Sequence, residues 1–333
     1  MRHPIRLSSG RNMLGLALSA LAFILLAVNA GHAEDYPARP IRMIVPLAAG
    51  GGTDLLARII GEDMSQTLGQ PVIVDNRPGA GTQIGAEVVA KAPADGYTLL
   101  SASMTTYAFN PGLYSKLRYD PVKDFATISL TGRFTLVLLA HKSFAPNTLA
   151  EFVALAKAKP GTINFASSGP GSPHQLAMEL LAARAGIKLV HVPYKGAAPA
   201  LQDLMAGHVP VMITDYASSR QAITSGLVKV LAVASPDRLA ELPNVPTIAE
   251  SGYPGFEASA WQGIVAPKDT PQPIIDKLNA AIVKALQNPA LRAKLVAIGI
   301  EPISSTPAEF SAYMQAEIAK WREVIKAANI TTE

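Results

Sequence analysis

The chain has 333 residues, with 29 Lys+Arg against 25 Asp+Glu and no cysteine. The lack of cysteine excludes disulfides, thiol catalysis and thiolate metal sites, so core packing alone must hold the fold. No run of five like charges occurs, and no basic stretch is interleaved with aromatic residues, so the usual footprint of nucleic-acid binding is missing.

Much of the excess positive charge lies at the N-terminus. Arg2, Arg6 and Arg11 precede an almost wholly apolar run from Met13 to Val28, and Gly31-His32-Ala33 places small residues where a signal peptidase reads them. This predicts a secretory signal over residues 1–33, cleaved after Ala33, and an exported soluble protein. The remainder carries 26 basic and 25 acidic side chains. None of its stretches approaches the roughly 20 apolar residues of a membrane-spanning helix, and its length suits two lobes better than one core.

Next comes Ile41-Arg-Met-Ile-Val-Pro-Leu-Ala-Ala-Gly-Gly-Gly-Thr-Asp54, a strand at Ile41 to Val45 running into three glycines and a helix start. Glycines let the backbone approach a ligand, and the free N–H groups at a helix N-terminus favour a carboxylate or phosphate. On this reading a side chain added at Gly51 displaces the backbone from the ligand or occupies the ligand's space. Further strands are expected at Val72 to Val74, Thr98 to Ser101, Ile163 to Ala166, Leu189 to Pro193, Val209 to Thr214 and Val228 to Ala234. Amphipathic stretches at Asp54 to Leu68, Gln83 to Lys91, Leu149 to Lys159, Pro173 to Ala185 and Pro199 to Ala206 fall between them, which predicts an α/β fold with mostly parallel sheets. Two long extended runs, Phe134 to His141 and Phe256 to Ala266, are placed to carry the chain from one lobe to the other and back. One lobe is then discontinuous, residues 34–137 plus 262–333, the other is 138–261, and the cleft between them is the natural ligand site.

The C-terminal part reads as helical. Thr270-Pro271 and Asn288-Pro289 resemble N-cap plus N1 proline pairs, and Thr306-Pro-Ala-Glu309 is a capping box. Phe310, Tyr313, Met314, Ile318, Trp321 and Ile325 form one apolar stripe for packing against a lobe.

Catalytic patterns are few. Gly79-Ala-Gly-Thr-Gln-Ile-Gly85 approaches a dinucleotide fingerprint, but its third glycine is one residue late and it follows the second strand. There is no Gly-x-Ser-x-Gly elbow, phosphate-binding Gly-Lys-Ser/Thr loop or His-Glu-x-x-His, and His141, His174, His191 and His208 are scattered singly. The chain reads as no enzyme, with neither metal nor cofactor.

Pro46-Leu-Ala-Ala-Gly-Gly-Gly-Thr-Asp54, Asn76-Arg-Pro-Gly-Ala-Gly-Thr82, Asp95-Gly-Tyr-Thr-Leu99, Ala166-Ser-Ser-Gly-Pro-Gly-Ser172, Val192-Pro-Tyr-Lys-Gly196 and Asn244-Val-Pro-Thr247, in this order, closely resemble the Bug family. These are extracytoplasmic solute-binding receptors of tripartite tricarboxylate transporters. The resemblance continues to the final Lys320-Trp-Arg-Glu-Val-Ile-Lys326 segment and departs at Leu47, where the family often carries an aromatic residue. It implies a periplasmic protein of the type II binding-protein architecture, with two α/β lobes joined by two crossover strands around a ligand cleft. By the same resemblance, Leu47, Ala49, Gly50, Gly51, Gly52, Thr53 and Asp54, with Gly81 and Thr82, hold one carboxylate through backbone N–H groups and bridging waters. Ser167, Ser168, Gly171, Ser172, Tyr194, Lys195, Gly196 and Asp215 line the second wall. The implied ligand is a di- or tricarboxylate, an aromatic acid or an acidic amino acid. The partners are permease subunits or, alternatively, a sensor protein, and the receptor is expected to be a monomer.

Duller readings stand beside these. Ser172-Pro-His-Gln175 is itself a capping box, so Ser172 either starts its helix, meets a ligand, or does both. Asp215 follows a buried strand and must find a hydrogen-bond partner or face the wet cleft. Arg77 pairs locally or meets an anion, Lys195 is either a ligand group or a solvated turn residue, and Trp261 either packs at the hinge, the favoured reading, or floors the pocket.

Overall fold

The computed structural model describes residues 36–330, so the expected signal segment and its cleavage point lie outside the described residues. From Arg39 onward the chain forms one compact unit. Its first half opens with β1 (Ile41–Val45), α1 (Gly52–Leu68), β2 (Val72–Asn76), α2 (Gln83–Ala90) and β3 (Thr98–Ser103). A wide π-helical turn at Thr105–Phe109 then passes into α3 (Asn110–Leu113), and β4 (Phe125–His141) follows. The second half contains α4 (Leu149–Ala158), β5 (Asn164–Ser167), α5 (Pro173–Ala185), β6 (Val190–Pro193), α6 (Ala197–Ala206), β7 (Val211–Asp215), α7 (Tyr216–Thr224) and β8 (Val228–Val233). The chain returns through β9 (Ser259–Pro267) and ends in α8 (Gln272–Gln287), α9 (Pro289–Ala297) and α10 (Pro307–Ala327).

Among the described residues the strands run in the order β2-β1-β3-β9-β4-β7-β5-β6, with β8 also on β4. Strand β4 belongs to both halves. Phe125 to Thr135 pair with β9, whereas Leu136 to Ala140 pair with β7 and Val137 to His141 with β8. The change of partner falls between Thr135 and Leu136, inside the region where the sequence predicts a crossover; the strand's first nine residues, Phe125 to Arg133, carried no clear strand signal. Strand β9 contains most of the second extended run and is buried along its whole length.

Local signals explain most boundaries. Thr306 accepts from Glu309 N while Glu309 reaches back to Thr306 N, the reciprocal capping box read from sequence. Asn288 caps α9 by accepting from Ala290 N, with Pro289 at N1. The expectation at Thr270-Pro271 is off by one residue: Pro271 is the N-cap, and the Thr270 hydroxyl instead donates to the Pro267 carbonyl at 2.7 Å. Helix α7 has no counterpart in the predicted elements.

The apolar stripe of α10 packs inward, with Phe310, Met314, Ile318, Trp321 and Ile325 all buried. Trp261 on β9 lies parallel to Tyr107, with ring centroids 5.9 Å apart, and Phe310 meets Trp261 edge-on at 5.9 Å. Two indoles share one buried carboxylate here, since Trp261 Nε1 and Trp321 Nε1 donate to Glu317 Oε2 at 2.8 and 2.9 Å while Lys320 pairs with Oε1. Removing this acceptor strands two buried N–H donors. Glu317→Leu is therefore expected to lower unfolding stability by roughly 2–4 kcal/mol and Glu317→Gln, which keeps an acceptor, by less than half of that, as read from urea unfolding followed by tryptophan fluorescence.

Candidate functional site

Strand direction decides which loops can meet. Strands β1, β2 and β3 are mutually parallel, β9 runs against β3, and β4 runs against β9, so β4 points the same way as β1 to β3. Strand β7 opposes β4, and β5 and β6 run with β7. The C-terminal ends of β1 to β3 thus point along β4 toward the second half, and those of β5 to β7 point back toward the first. They meet at the level where β4 changes partners. Two contacts fix this level: a Cβ placed at Gly52 would lie 2.5 Å from the ring of Phe134, and Asp215 is in register with Leu136. Ligands in open α/β sheets bind outside such C-terminal strand ends.

The first wall consists of the loops after β1 and β2. Leu47 is half-buried, Ala49, Gly50 and Gly51 are exposed, and Gly52 opens α1 with Gly51 as its N-cap. Asp54 is 2% exposed and turned inward. Its Oδ2 accepts from Gly50 N at 2.8 Å and Arg58 Nε at 2.9 Å, and its Oδ1 accepts from Asn76 Nδ2 at 2.9 Å. The same Asn76 amide nitrogen donates to the Leu47 carbonyl at 3.0 Å. Burial by itself would raise the Asp54 pKa, but Arg58, the Gly50 N–H and Asn76 outweigh it and hold the carboxyl below its ordinary value. Asp54 is thus the tie that shapes the triglycine loop. Thr53 beside it is buried.

The glycines differ in what they permit. Gly50 has φ +87°, which only glycine adopts freely, whereas Gly51 has an ordinary φ of −77°, and a notional Cβ there would make only an ordinary contact, 3.8 Å from the Ala48 carbonyl oxygen. The left-handed conformation in this loop thus belongs to Gly50, and the close approach to Phe134 belongs to Gly52. Gly81 (φ 59°) is exposed and Thr82 (φ 78°) is buried at the start of α2. Arg77 pairs locally with Asp75 at 3.1 Å.

The second wall joins the loops after β5, β6 and β7. Ser167 is fully buried; its Oγ accepts from Gly169 N at 3.1 Å and lies 2.6 Å from His191 Nε2. Ser168 is half-buried and its carbonyl accepts from Gly196 N at 3.2 Å, while Tyr194 N donates to the Ser167 carbonyl at 3.1 Å. Gly171 (φ 70°) donates its N–H to Gln175 Oε1 at 2.8 Å, and Ser172 caps α5 by accepting from Gln175 N at 3.3 Å. The reciprocal half of the box is displaced by one residue, onto Gly171. The Tyr194 hydroxyl donates to Asp203 Oδ2 at 2.6 Å, and burial together with that carboxylate pushes the phenol up to about 12. Lys195 is exposed, and Gly196 (φ 112°) caps α6. Asp215 meets a partner that the sequence did not suggest: its Oδ2 lies 3.1 Å from Nε2 of the buried His174.

Among the described residues no hydrogen bond or ion pair joins one wall to the other, and no group of three His, Asp or Glu could hold a metal. No helix among them is long and apolar enough to cross a membrane. A cavity of about 370 Å³ lies along the edge of β4 away from β9, between Arg133, Tyr216, Leu239, Ile298 and Glu301; none of the expected ligand residues lines it. Arg58, Asn76 and His174, which shape the walls, together with Asn110, whose amide donates to the Gly81 carbonyl at 2.8 Å, are not among the ligand residues expected from sequence. Only Arg58, one turn after Asp54, left a readable i,i+4 signal.

Residues 56–330 match the tripartite tricarboxylate transporter family receptor. Protein BugT of Bordetella pertussis is 40% identical over 295 residues, covering 88% of this chain and 90% of that protein. Among solved structures, the R. palustris protein Rpa4515 with adipate is 36% identical with a TM-score of 0.76, covering 89% of this chain and 99% of that one. MatC from Rhodopseudomonas palustris with bound malate is also 36% identical, with a TM-score of 0.73, covering 87% of this chain and 100% of that one.

Two outcomes follow from the geometry. Gly52→Ala, which drives a methyl into Phe134, is expected to lower stability by about 1–3 kcal/mol, and Gly51→Ala by less than about 1 kcal/mol, as measured by chemical denaturation. The second concerns pH. Burial pushes the His191 imidazole down from its ordinary value, so the folded protein resists a proton that the unfolded chain accepts. This contribution to stability is complete above the unfolded value of about 6.5 and declines as pH falls below it; unfolding measured from pH 8 to 5 should show that decline, and His191→Gln should flatten it.

Proposed function

The chain belongs to the tripartite tricarboxylate transporter receptor family, and from that premise we propose that it captures a small carboxylate in the periplasm between its two walls and delivers it, on closure, to the permease subunits of a tripartite transporter. The family is one of solute-binding receptors with the type II periplasmic-binding-protein architecture. One observation carries the reading: α1, α2, α5, α6 and α7 each start directly after a strand end or its glycine-rich loop, on edges that face one another across the partner change in β4. Helix N-termini present unpaired N–H groups and a positive dipole end, a setting that suits an anion with a carboxylate at each end. The side chains nearest these starts support this use of the backbone, because Asp54, Ser167 and Tyr194 already bond within the protein.

In this reading Leu47 to Asp54 with Gly81 and Thr82 receive one carboxylate, and Ser167 to Ser172, Tyr194 to Gly196 and Asp215 receive the rest of the ligand. Residues 34–137 with 262–333 form one lobe, residues 138–261 form the other, and the receptor acts as a monomer. The ligand shifts the population toward closure because it makes contacts with both lobes that the open form lacks. That related proteins are seen with adipate and with malate favours a dicarboxylate over the aromatic and amino acids.

A thermal-shift screen of di- and tricarboxylates, aromatic acids and acidic amino acids tests the class: a true ligand at 100 times its Kd should add about 2.7 kcal/mol of stability. A screen in which no carboxylate moves the melting temperature removes the proposal. Placement is tested by Gly51→Ser, because Gly51 already has the backbone angles of the serine cap at Ser172. The new hydroxyl is expected to accept a first-turn N–H, raise stability by about a few tenths of a kcal/mol and weaken carboxylate binding about tenfold in calorimetric titration. Unchanged affinity in that variant places the carboxylate away from α1.

A further inference from the structure

Gly79, Ala80, Gly81 and Thr82 have φ of 130°, 46°, 59° and 78° in succession. Glycine adopts such angles freely, but alanine does so rarely and a β-branched threonine hardly at all. Thr82 is also only 4% exposed, so its side chain is held in the interior while its backbone remains in this unfavourable region. A conformation of this kind persists only where the surroundings over-determine it.

The surroundings are a closed set of polar side chains behind the loop. Asn110, 1% exposed, directs Nδ2 at the Gly81 carbonyl (2.8 Å), the Thr82 hydroxyl (3.1 Å) and the Tyr119 hydroxyl (3.0 Å). Thr106 Oγ1 donates to Thr82 Oγ1 at 2.9 Å, and the Tyr119 hydroxyl donates to the Thr106 carbonyl, which closes the ring. Tyr114 covers the remaining side, where a Cβ at Gly81 would come within 2.2 Å of its hydroxyl. The π-helical turn at Thr105–Phe109 brings Thr106 to the loop, and such wide turns are frequent at functional sites.

We infer that Asn110, Thr106 and Tyr119 are positioning residues for the first wall: they clamp Gly81 and Thr82 in the left-handed conformation so that the backbone entering α2 is ordered before a carboxylate arrives. This rests on the proposed role of the Gly79 to Thr82 loop as a ligand wall. None of the three needs to touch the ligand. Their effect is preorganisation, which removes the ordering cost from the binding step.

The test uses two isosteric variants of the full mature protein. Asn110→Asp retains shape but cannot donate to the Gly81 carbonyl, and Thr106→Val removes a hydroxyl without changing bulk. Each is followed by melting temperature, by amide exchange of the 80–83 segment, and by calorimetric affinity for whichever of malate, adipate or the other screened carboxylates binds the wild type. The expected result is exchange at 80–83 faster by about tenfold or more and affinity weaker by about tenfold, with the melting temperature moved by only a few degrees. Thr106→Val carries the test if Asn110→Asp does not fold. A folded variant with fast exchange and unchanged affinity overturns the inference, as does an affinity loss that merely tracks global unfolding. A wild type that binds no screened carboxylate rejects the receptor reading itself and this inference with it, whereas wild-type binding retained in both variants rejects only the positioning role.

Discussion

A single strand that exchanges its hydrogen-bond partners between Thr135 and Leu136 sets the position of everything else in this protein. Before that point β4 lies against β9, and after it against β7 and β8. Because β1 to β3 run with β4 and β5 to β7 run against it, the C-terminal strand ends of the two halves are turned toward one another. The opposition of the walls is therefore a consequence of strand direction, and no side chain has to enforce it. Phe134 and Leu136, two residues apart on the same strand, meet Gly52 from one wall and Asp215 from the other.

A second regularity is that polar side chains around both walls bond to backbone or to one another and so fix loop shape. Asp54 and Asn76 tie the triglycine loop to β2, Asn110 and Thr106 hold the turn into α2, and Ser167 with His191 and Gln175 shape the loop before α5. Buried groups of this kind are favourable only when their hydrogen bonds are made, so the loops they support are confined to one conformation. Main-chain groups at the helix starts stay exposed beside a few side chains such as Ala49 and Lys195. An anion site made of main chain selects for charge and geometry, with individual side chains playing a smaller part.

The elements themselves were readable to a large extent. Strand β1 and helix α5 have the predicted limits, and the capping box and asparagine cap at the C-terminal helices act as their spacing implies. Failures have physical reasons. The first part of β4, Phe-Ala-Thr-Ile-Ser-Leu-Thr-Gly-Arg from Phe125 to Arg133, lacks a continuous apolar run, and two bulges in its register break the alternation a regular strand would show. Helix α7 is polar on much of its surface, and Thr270 bonds to a carbonyl three residues back instead of capping.

The sequence by itself determined the alternation of strands and helices, the absence of thiol chemistry, and the family likeness carried by glycine, proline and asparagine motifs. These depend on local backbone preference and composition, which short segments express without help from distant residues. Only the tertiary structure decided that Asp54 and Ser167 face inward, that Asp215 meets His174, that Gly52 and not Gly51 is pressed by a ring, and that Asn110 stands behind Thr82. Each of these except the Asp54 and Ser167 hydrogen bonds joins residues more than twenty positions apart, and such pairing is set by the shared direction of β4 and its neighbours, a property that no local window of sequence contains.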